Sequence, residues 1–462
     1  NEVKTMAQAF FGGVHPHDMK AATNEKAIEQ LAPPAVVVIP MSMHFGAPCT
    51  PLVKAGDHVK VGQKIGEFHG LGAPIHASVS GTVKAVEPRP YSMGGNITSV
   101  VIENDMQDEV SEELQAPADP NALSVEEMVE IVKNAGIVGM GGATFPTHVK
   151  ITSGIGKVNT VIINGAECEP YITGDHRTML ERPEEIIGGA KFLAKMFGVD
   201  KVVIGVEDNK RNGIDAMNKV IAEQKAPVVV EPLRCRYPQG GEKQLCQAIT
   251  GRQVPPGGLP ADIGCAVFNI NTTCAIYRAL TTGMPVVRKI VTVSGSGVVE
   301  PKNLECPIGT PVSSLLDACG GLKDGTYKLI AGGPMMGMAQ YTADISVAKG
   351  TGAILAFCEN EEKTVENPQC IRCGKCVSVC PMHLEPLFMY QYASKGMVEE
   401  LNDAHIMDCM ECGACSYICP ARMHLTHMFK TGKQLVKDKA AADRAAAEAK
   451  KKAEEAKEAA AK

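Results

Sequence analysis

The stretch that decides how this chain is read is GIVGMGGATFPTHVK, residues 136–150. Gly139-x-Gly141 begins a dinucleotide-binding fingerprint, but Thr144 stands where the third glycine of G-x-G-x-x-G belongs. The context departs too. That fingerprint leaves a strand and opens a helix, whereas this stretch follows an amphipathic helix, SVEEMVEIVKNAG, opened by the capping box Ser124-x-x-Glu127. Gly139, Gly141 and Gly142 can still adopt positive φ and let backbone N–H groups close on a phosphate without a Cβ clash. A plain turn accounts for the pattern equally well.

The residues downstream raise the ligand reading. Strands and helices alternate: TVIING (160–165), a helix over 183–197, KVVIGVE (201–207), a helix over 210–224, and PVVVEPL (227–233). This order predicts an α/β layer with a largely parallel sheet. In such sheets ligands bind beyond the carboxyl ends of the strands. NGAECEPYITGDHR (164–177) leaves the first strand there and brings Asn164, Glu167 and Glu169 towards the crevice. YPQGGEKQL (237–245) leaves the third, with Tyr237, Gly240, Gly241 and Glu242.

Bulk properties bound the rest. The 462 residues, 45% hydrophobic and 21% charged, suffice for several domains. No apolar run reaches the ~20 residues that span a bilayer. NEVKTMAQAFFGG (1–13) lacks a basic region followed by an apolar core, so no signal peptide is expected. The expectation is a cytoplasmic protein that meets a membrane only through partners. A net charge of −6, no Trp and no basic patch interleaved with aromatics argue against nucleic acid.

Upstream, residues 1–30 read as an arm. His15 and His17 in GGVHPHDMK have no third ligand nearby and read as a surface turn. Residues 31–112 alternate short strands with turns. VKAGDHVKVGQKIGE (53–67) and SVSGTVKAVE (78–87) resemble the halves of a lipoyl-like barrel-sandwich. The connecting stretch FHGLGAPIHA (68–77) has no lysine, so the module carries no prosthetic arm. Residues 118–285 hold the α/β pattern, 286–348 return to short strands, and 436–462 form an Ala/Lys/Glu tail with no apolar face.

Residues 358–435 carry the strongest signal. Eight of the 17 cysteines fall in CIRCGKCVSVCP (370–381) and CMECGACSYICP (409–420). Both read C-x2-C-x2-C-x3-C-P, the bacterial ferredoxin run, whose fourth cysteine ligates the other cluster. One 4Fe–4S cluster therefore takes Cys370, Cys373, Cys376 and Cys419, and the second Cys409, Cys412, Cys415 and Cys380. Two zinc sites would also use four thiolates each, but two complete runs ending in proline fit zinc poorly. The remaining nine cysteines are expected to be buried reduced thiols, with Cys168 beside Glu167 the one to watch.

GMGGATFPT (139–147), NGAECEP (164–170), YPQGGE (237–242) and NINTT (269–273) resemble the flavin-binding subunit of respiratory complex I and its relatives. With the barrel-sandwich in front, TVSGSGVVEP (292–301) and GTPVSSLL (309–316) behind, and the two ferredoxin runs, the order from about residue 10 to 430 resembles the C subunits of Rnf complexes. These are membrane-bound ferredoxin:NAD oxidoreductases. The resemblance implies a multidomain α/β and α+β chain: the barrel-sandwich, a Rossmann-like FMN/NADH domain, a ubiquitin-like SLBB module and a helical two-cluster ferredoxin-like domain. It implies that Gly139, Gly141 and Gly142 cradle FMN with Lys150 near. Asn164 and Glu167 would hold the flavin, Tyr237, Gly240 and Gly241 would lie beside it, and Asn269 and Thr272 would grip its phosphate. Phe145 would stack on the NADH adenine. Glu169 and Glu242 would line the NADH side, where carboxylates repel a 2′-phosphate and favour NAD. Thr144 replaces a usual glycine, and Ala166 replaces an acid of complex I.

The implied activity is hydride exchange between NAD(H) and FMN, with single electrons relayed through two 4Fe–4S clusters. The implied partners are the Rnf membrane subunits and the ferredoxin-reacting subunit, at the cytoplasmic face of a bacterial membrane. No side chain is nominated as catalytic. Two other readings compete: a soluble cobalamin-reducing flavoprotein of microcompartments, and an electron-relay scaffold without flavin.

Overall fold

The computed structural model describes residues 10–358 and 365–460. The start of the expected arm (1–9), the beginning of the cysteine region (359–364) and the last two tail residues lie outside them. Two compact units result: residues 15–358, and residues 365–460 joined by Phe10–Val14.

In the first unit, the barrel-sandwich consists of two small antiparallel sheets. One orders Val36–Pro40, Asn96–Asn104, Gly81–Pro90 and His58–Val59; the other Thr50–Pro51, Lys64–Glu67 and Ile75–His76. Val37 and Ile39 are fully buried while Val36 and Val38 are not, the period-two pattern of a half-buried strand. Gly81 is obligatory: at φ +147°, a Cβ there would lie 2.0 Å from the Glu103 carbonyl oxygen.

The α/β layer has four parallel strands in the order Val228–Leu233, Val202–Glu207, Thr160–Gly165, Cys265–Asn269. The first strand in sequence is thus flanked by the second on one side and the last on the other. The order reverses between Thr160–Gly165 and Cys265–Asn269. Helix Val125–Asn134 opens with the expected capping box, Ser124 and Glu127 bonding reciprocally. Helix Pro183–Phe197 packs on helix Ile270–Thr282 through Gly188 and Gly189. A Cβ on Gly188 would lie 2.4 Å from the Tyr277 ring, and one on Gly189 2.2 Å from Thr273 O, so the two glycines set the helix spacing.

The third module is a six-stranded mixed sheet, ordered Ile28–Gln30, Lys302–Pro307, Arg288–Ser294, Ala353–Cys358, Thr326–Ala331, Met338–Gln340. It reaches beyond residues 286–348: Ala353–Cys358 lies inside the sheet, and the arm supplies an edge strand, Ile28–Gln30.

The second unit is helical, with Lys375–Ser378, Pro386–Ser394, Val398–Asp403, Ala414–Ile418 and the long Leu425–Ala460. Its core gathers Met389, Leu401, Ile406 and Phe429. Among residues 425–452 of the long helix Val436 is the last buried one; residues 437–452 are exposed, as a helix without an apolar face must be. No described helix is long and apolar enough to cross a membrane.

Candidate functional site

The glycine turn lies over the point where the parallel sheet reverses its order. Asn164 and Asn269 are register partners at the carboxyl ends of the two strands that flank this point. A Cβ added to Gly141 would approach the Asn269 side chain to 3.3 Å. The turn closes on itself through Gly139 N–H to Phe145 O (2.9 Å) and Thr144 N–H to Gly139 O (3.1 Å). Met140 N–H donates to Thr272 Oγ1 (2.9 Å), and Lys289 Nζ donates to Met140 O (2.9 Å). Gly141 and Gly142 are exposed, and their N–H groups donate to no atom among the described residues. Gly142 has φ +131° and no atom within 4 Å of its Cβ position. An open glycine turn of this kind, at a sheet's switch point, fits a phosphate-bearing cofactor.

Thr144 has φ +50°, a left-handed conformation that favours glycine. Its carbonyl accepts from Phe45 N–H of the barrel-sandwich (3.0 Å). A Cβ added to Gly350 would lie 2.6 Å from the Thr144 methyl group. Thr144 therefore ties the turn to two other modules. The Phe45 and Phe145 rings lie 6.0 Å apart, and Phe45 is 59% exposed.

The loops converge as expected, but several side chains are already engaged. Asn164 Nδ2 donates to Gly240 O (2.8 Å), which joins the two strand-end loops. Gly240 is needed for this approach, since a Cβ would lie 2.3 Å from Ala166 O. Gly241 caps helix Glu242–Thr250, and Tyr237 is buried. Lys150 Nζ pairs with Glu242 (2.8 Å) and donates to Val267 O (2.9 Å). Glu242, expected to line the NADH side, therefore carries a counter-charge. Asn269 caps helix Ile270–Thr282 through Asn271 N–H and Thr272 N–H and donates to Asp175 (2.7 Å). Asn269 and Thr272 thus support the turn and the helix start that faces it.

The expectation that Glu167 projects into the crevice does not hold. Its carboxylate accepts Asp175 N–H (2.7 Å) and His176 N–H (3.4 Å) at the start of helix Gly174–Glu181, and Lys20 lies 3.8 Å away. Burial pushes it up to about 7, against the pull of Lys20. Glu169 accepts Met335 N–H (3.1 Å), Met336 N–H (3.0 Å) and the Tyr237 hydroxyl (3.4 Å). Burial raises it, too, to about 7. It latches residues 335–336 of the six-stranded module to the crevice. Cys168 is a partly exposed thiol whose sulfur accepts Gly240 N–H (3.3 Å). Cys235 is exposed, contrary to the expectation of uniformly buried thiols.

In the second unit, four cysteines line each of two cavities. Cys370, Cys373, Cys376 and Cys419 surround one; Cys380, Cys409, Cys412 and Cys415 surround the other. This is the crossed set. Four thiols around one cavity are the ligand set that a 4Fe–4S cube takes. The two runs share their backbone: φ is +55° and +57° at Arg372 and Glu411, +74° and +77° at Gly374 and Gly413, +55° and +56° at His383 and Arg422. Backbone N–H groups of Arg372, Leu384 and Glu411 each donate to a cysteine sulfur at 3.4 Å, the polar shell a thiolate ligand requires.

Four family models match in the same order: the RnfC barrel sandwich hybrid domain over 8–107, the Nuo51 FMN-binding domain over 132–278, the SLBB domain over 290–339, and a 4Fe–4S dicluster domain over 363–420. The chain is 45% identical to the C subunit of the Na(+)-translocating ferredoxin:NAD(+) oxidoreductase complex of Acetobacterium woodii, over 86% of this chain and 90% of that one. It is 43% identical to the C subunit of the proton-translocating ferredoxin:NAD(+) oxidoreductase complex of Clostridium ljungdahlii, over 87% and 88%. It is 41% identical to the C subunit of the ion-translocating oxidoreductase complex of Rhodobacter capsulatus, over 81% and 73%. The chain belongs to this RnfC family. It therefore carries an FMN-binding domain and a 4Fe–4S dicluster domain.

In this family member, sequence reasoning missed the buried cations that shape the crevice. Lys20 of the arm donates to Glu167 O (2.8 Å), Glu169 O (3.0 Å) and Ile172 O, and so pins the whole strand-end loop. Lys289 enters from a strand in which every residue after Arg288 is buried. A lysine inside such a run was the available signal, because lysine is almost never buried without partners.

Proposed function

We propose that this chain is the NAD(H)-reacting subunit of a Rnf ion-translocating ferredoxin:NAD oxidoreductase. It exchanges hydride between NAD(H) and FMN and relays single electrons through two 4Fe–4S clusters to or from membrane subunits and a ferredoxin-reacting partner. It works at the cytoplasmic face of the membrane, held there by those partners. The observation that carries the reading is the open glycine turn at the sheet's switch point, in a chain whose other unit offers two four-cysteine cavities.

FMN, when bound, supplies the exchange between two-electron and one-electron chemistry that NADH and 4Fe–4S clusters require of each other. The protein's share is binding and orientation. Gly139, Gly141 and Gly142 form the cradle, with Asn164 and Gly240 closing its side. The Phe145 ring offers its face to the adenine of NAD(H), next to Phe45. Glu169 holds residues 335–336 against the crevice. Glu169 and Glu242 together make it unfavourable for a 2′-phosphate, and the Lys150 pair moderates the Glu242 contribution. No side chain is needed as general acid or base.

Quantitation of FMN and iron on the purified chain, followed by anaerobic NADH titration, tests this reading. One FMN, about eight irons and NADH-dependent bleaching of both chromophores are expected. A chain without FMN, or with FMN that NADH leaves oxidised, overturns it.

A further inference from the structure

The Met140 peptide groups are held from two sides by residues of different modules. Met140 N–H donates to Thr272 Oγ1, at 2.9 Å, and Thr272 Oγ1 donates onward to Val138 O at 3.2 Å. Met140 O accepts from Lys289 Nζ, also at 2.9 Å, in a fully buried position. Lys289 comes from strand Arg288–Ser294 of the six-stranded module, far along the chain from the turn it touches. The Met140 carbonyl and the Gly141 N–H belong to one peptide plane. In a trans peptide they point in opposite directions. A carbonyl drawn inward onto Lys289 therefore turns the Gly141 N–H outward, to the exposed side of the turn. That is where Gly141 and Gly142 are found without acceptors among the described residues.

We propose that Lys289 and Thr272 are positioning residues that clamp Met140 so that the Gly141 N–H faces an anionic phosphate in the crevice. The inference rests on the FMN reading above and assigns its phosphate end. Lys289 contributes in two ways. It fixes the peptide orientation in advance, so no reorganisation is needed on binding. Its ammonium also lies one peptide away from the cradle, within a buried environment where charge is weakly screened. Asp175 balances that charge: it faces Lys289 and is itself held by Asn269 (2.7 Å) and Asn271 (2.5 Å) at the start of helix Ile270–Thr282. The strand of the six-stranded module thus takes part in the flavin site.

The test compares FMN with riboflavin, which lacks the phosphate, on the full chain stripped of flavin. Wild type should bind FMN more tightly than riboflavin. Lys289→Met should lower FMN affinity about tenfold or more, the size of a charge-assisted hydrogen-bond network lost, and leave riboflavin affinity unchanged. Thr272→Val is a second, nearly isosteric variant with the same expectation, should Lys289→Met fail to fold by circular dichroism. Parallel losses for both flavins would mark a merely structural role and overturn the proposal, as would an undiminished FMN preference in a folded variant. Wild type that binds FMN no better than riboflavin also overturns it. Wild type that binds neither flavin would instead overturn the FMN reading itself.

Discussion

The cysteines of each cavity all lie between residues 370 and 419, in two runs that repeat one backbone. The glycine crevice is assembled from Lys20, the turn after residue 138, the strand-end loops at 164–169 and 237–242, the helix start at Asn269, Lys289 of a third module, and Met335–Met336. The first kind of site is local and duplicated, the second distributed and single. A duplicated site should lose function in halves, each half by itself. A distributed site should fail through residues that touch no ligand, at a distance along the chain that no motif spans.

The largest expected effect breaks the duplication. Cys373→Ala should abolish one cluster, halving the iron, while the other cluster and the flavin remain. Iron analysis with electron paramagnetic resonance would read this, and loss of FMN along with the cluster would show that the two sites are not independent. The two cavities also differ. Cys370 and Cys373 are exposed, whereas Cys380, Cys412 and Cys415 are buried. An iron chelator should therefore bleach the chain in two phases, and Cys373→Ala should remove the fast one.

Next comes the arm. Lys20→Met removes the group that joins the carbonyls of Glu167, Glu169 and Ile172, and leaves Glu167 without its nearest cation. Each hydrogen bond lost from a charged donor costs about 1.5–3 kcal/mol. Thermal unfolding followed by flavin fluorescence should shift strongly, while cluster absorbance in the cysteine unit should not. Equal shifts of the two probes would contradict the distributed picture of the crevice alone.

A smaller effect depends on pH. Glu167 is raised by burial from 4.5 to about 7. A carboxyl with a higher folded than unfolded value stabilises most when protonated. Its contribution is complete below pH 4.5 and disappears as the pH rises through about 7. The difference is of the order of 3 kcal/mol. Glu167→Gln, a neutral stand-in, should flatten the fall in stability between pH 4.5 and 7 that the wild-type flavin unit shows. Urea denaturation at a series of pH values would measure it; an unchanged slope would mean that Glu167 stays charged in the folded protein.

The same contrast explains what was legible in the sequence. The crossed cysteine sets could be read because ligand chemistry fixes their spacing, and both partners of each set lie within one short span. The strands of the α/β layer could be read because three buried runs of β-branched residues recur with helices between them. The crevice was half legible. Its backbone parts carry glycine signatures, so the turn at 139–142 and Gly240 stand out. Glu167 was misplaced, and the backbone ties of Glu169 went unforeseen, because a carboxylate in a strand-end loop looks alike whether it faces a ligand or accepts backbone N–H groups. The difference lies in Asp175 N–H and in Met335 and Met336 N–H, groups that carry no side-chain signal. Lys20 was invisible for the converse reason: its partners are carbonyls, which every residue has, whereas Lys289 was marked only by the buried run it sits in.

Thr144 offers the finest test of the comparison. Along the two cysteine runs and just beyond them, left-handed residues come as twins with different side chains, Arg372 with Glu411 and His383 with Arg422, at φ values that agree within a few degrees. Their conformation is imposed by the run itself, so Arg372→Gly should relieve a left-handed cost of ~1–2 kcal/mol against a glycine entropy loss of ~0.5–1, a small net gain. Thr144 has no twin. Its methyl group packs against Gly350, and its carbonyl holds Phe45 N–H. Thr144→Gly gains the same relief but loses the packing, so its melting temperature and FMN affinity should stay near wild type. Thr144→Ala loses the methyl and keeps the strain, and should be the weaker variant by about 1 kcal/mol. If alanine matched wild type, the Gly350 contact would contribute nothing, and the turn would be as self-contained as the cysteine runs.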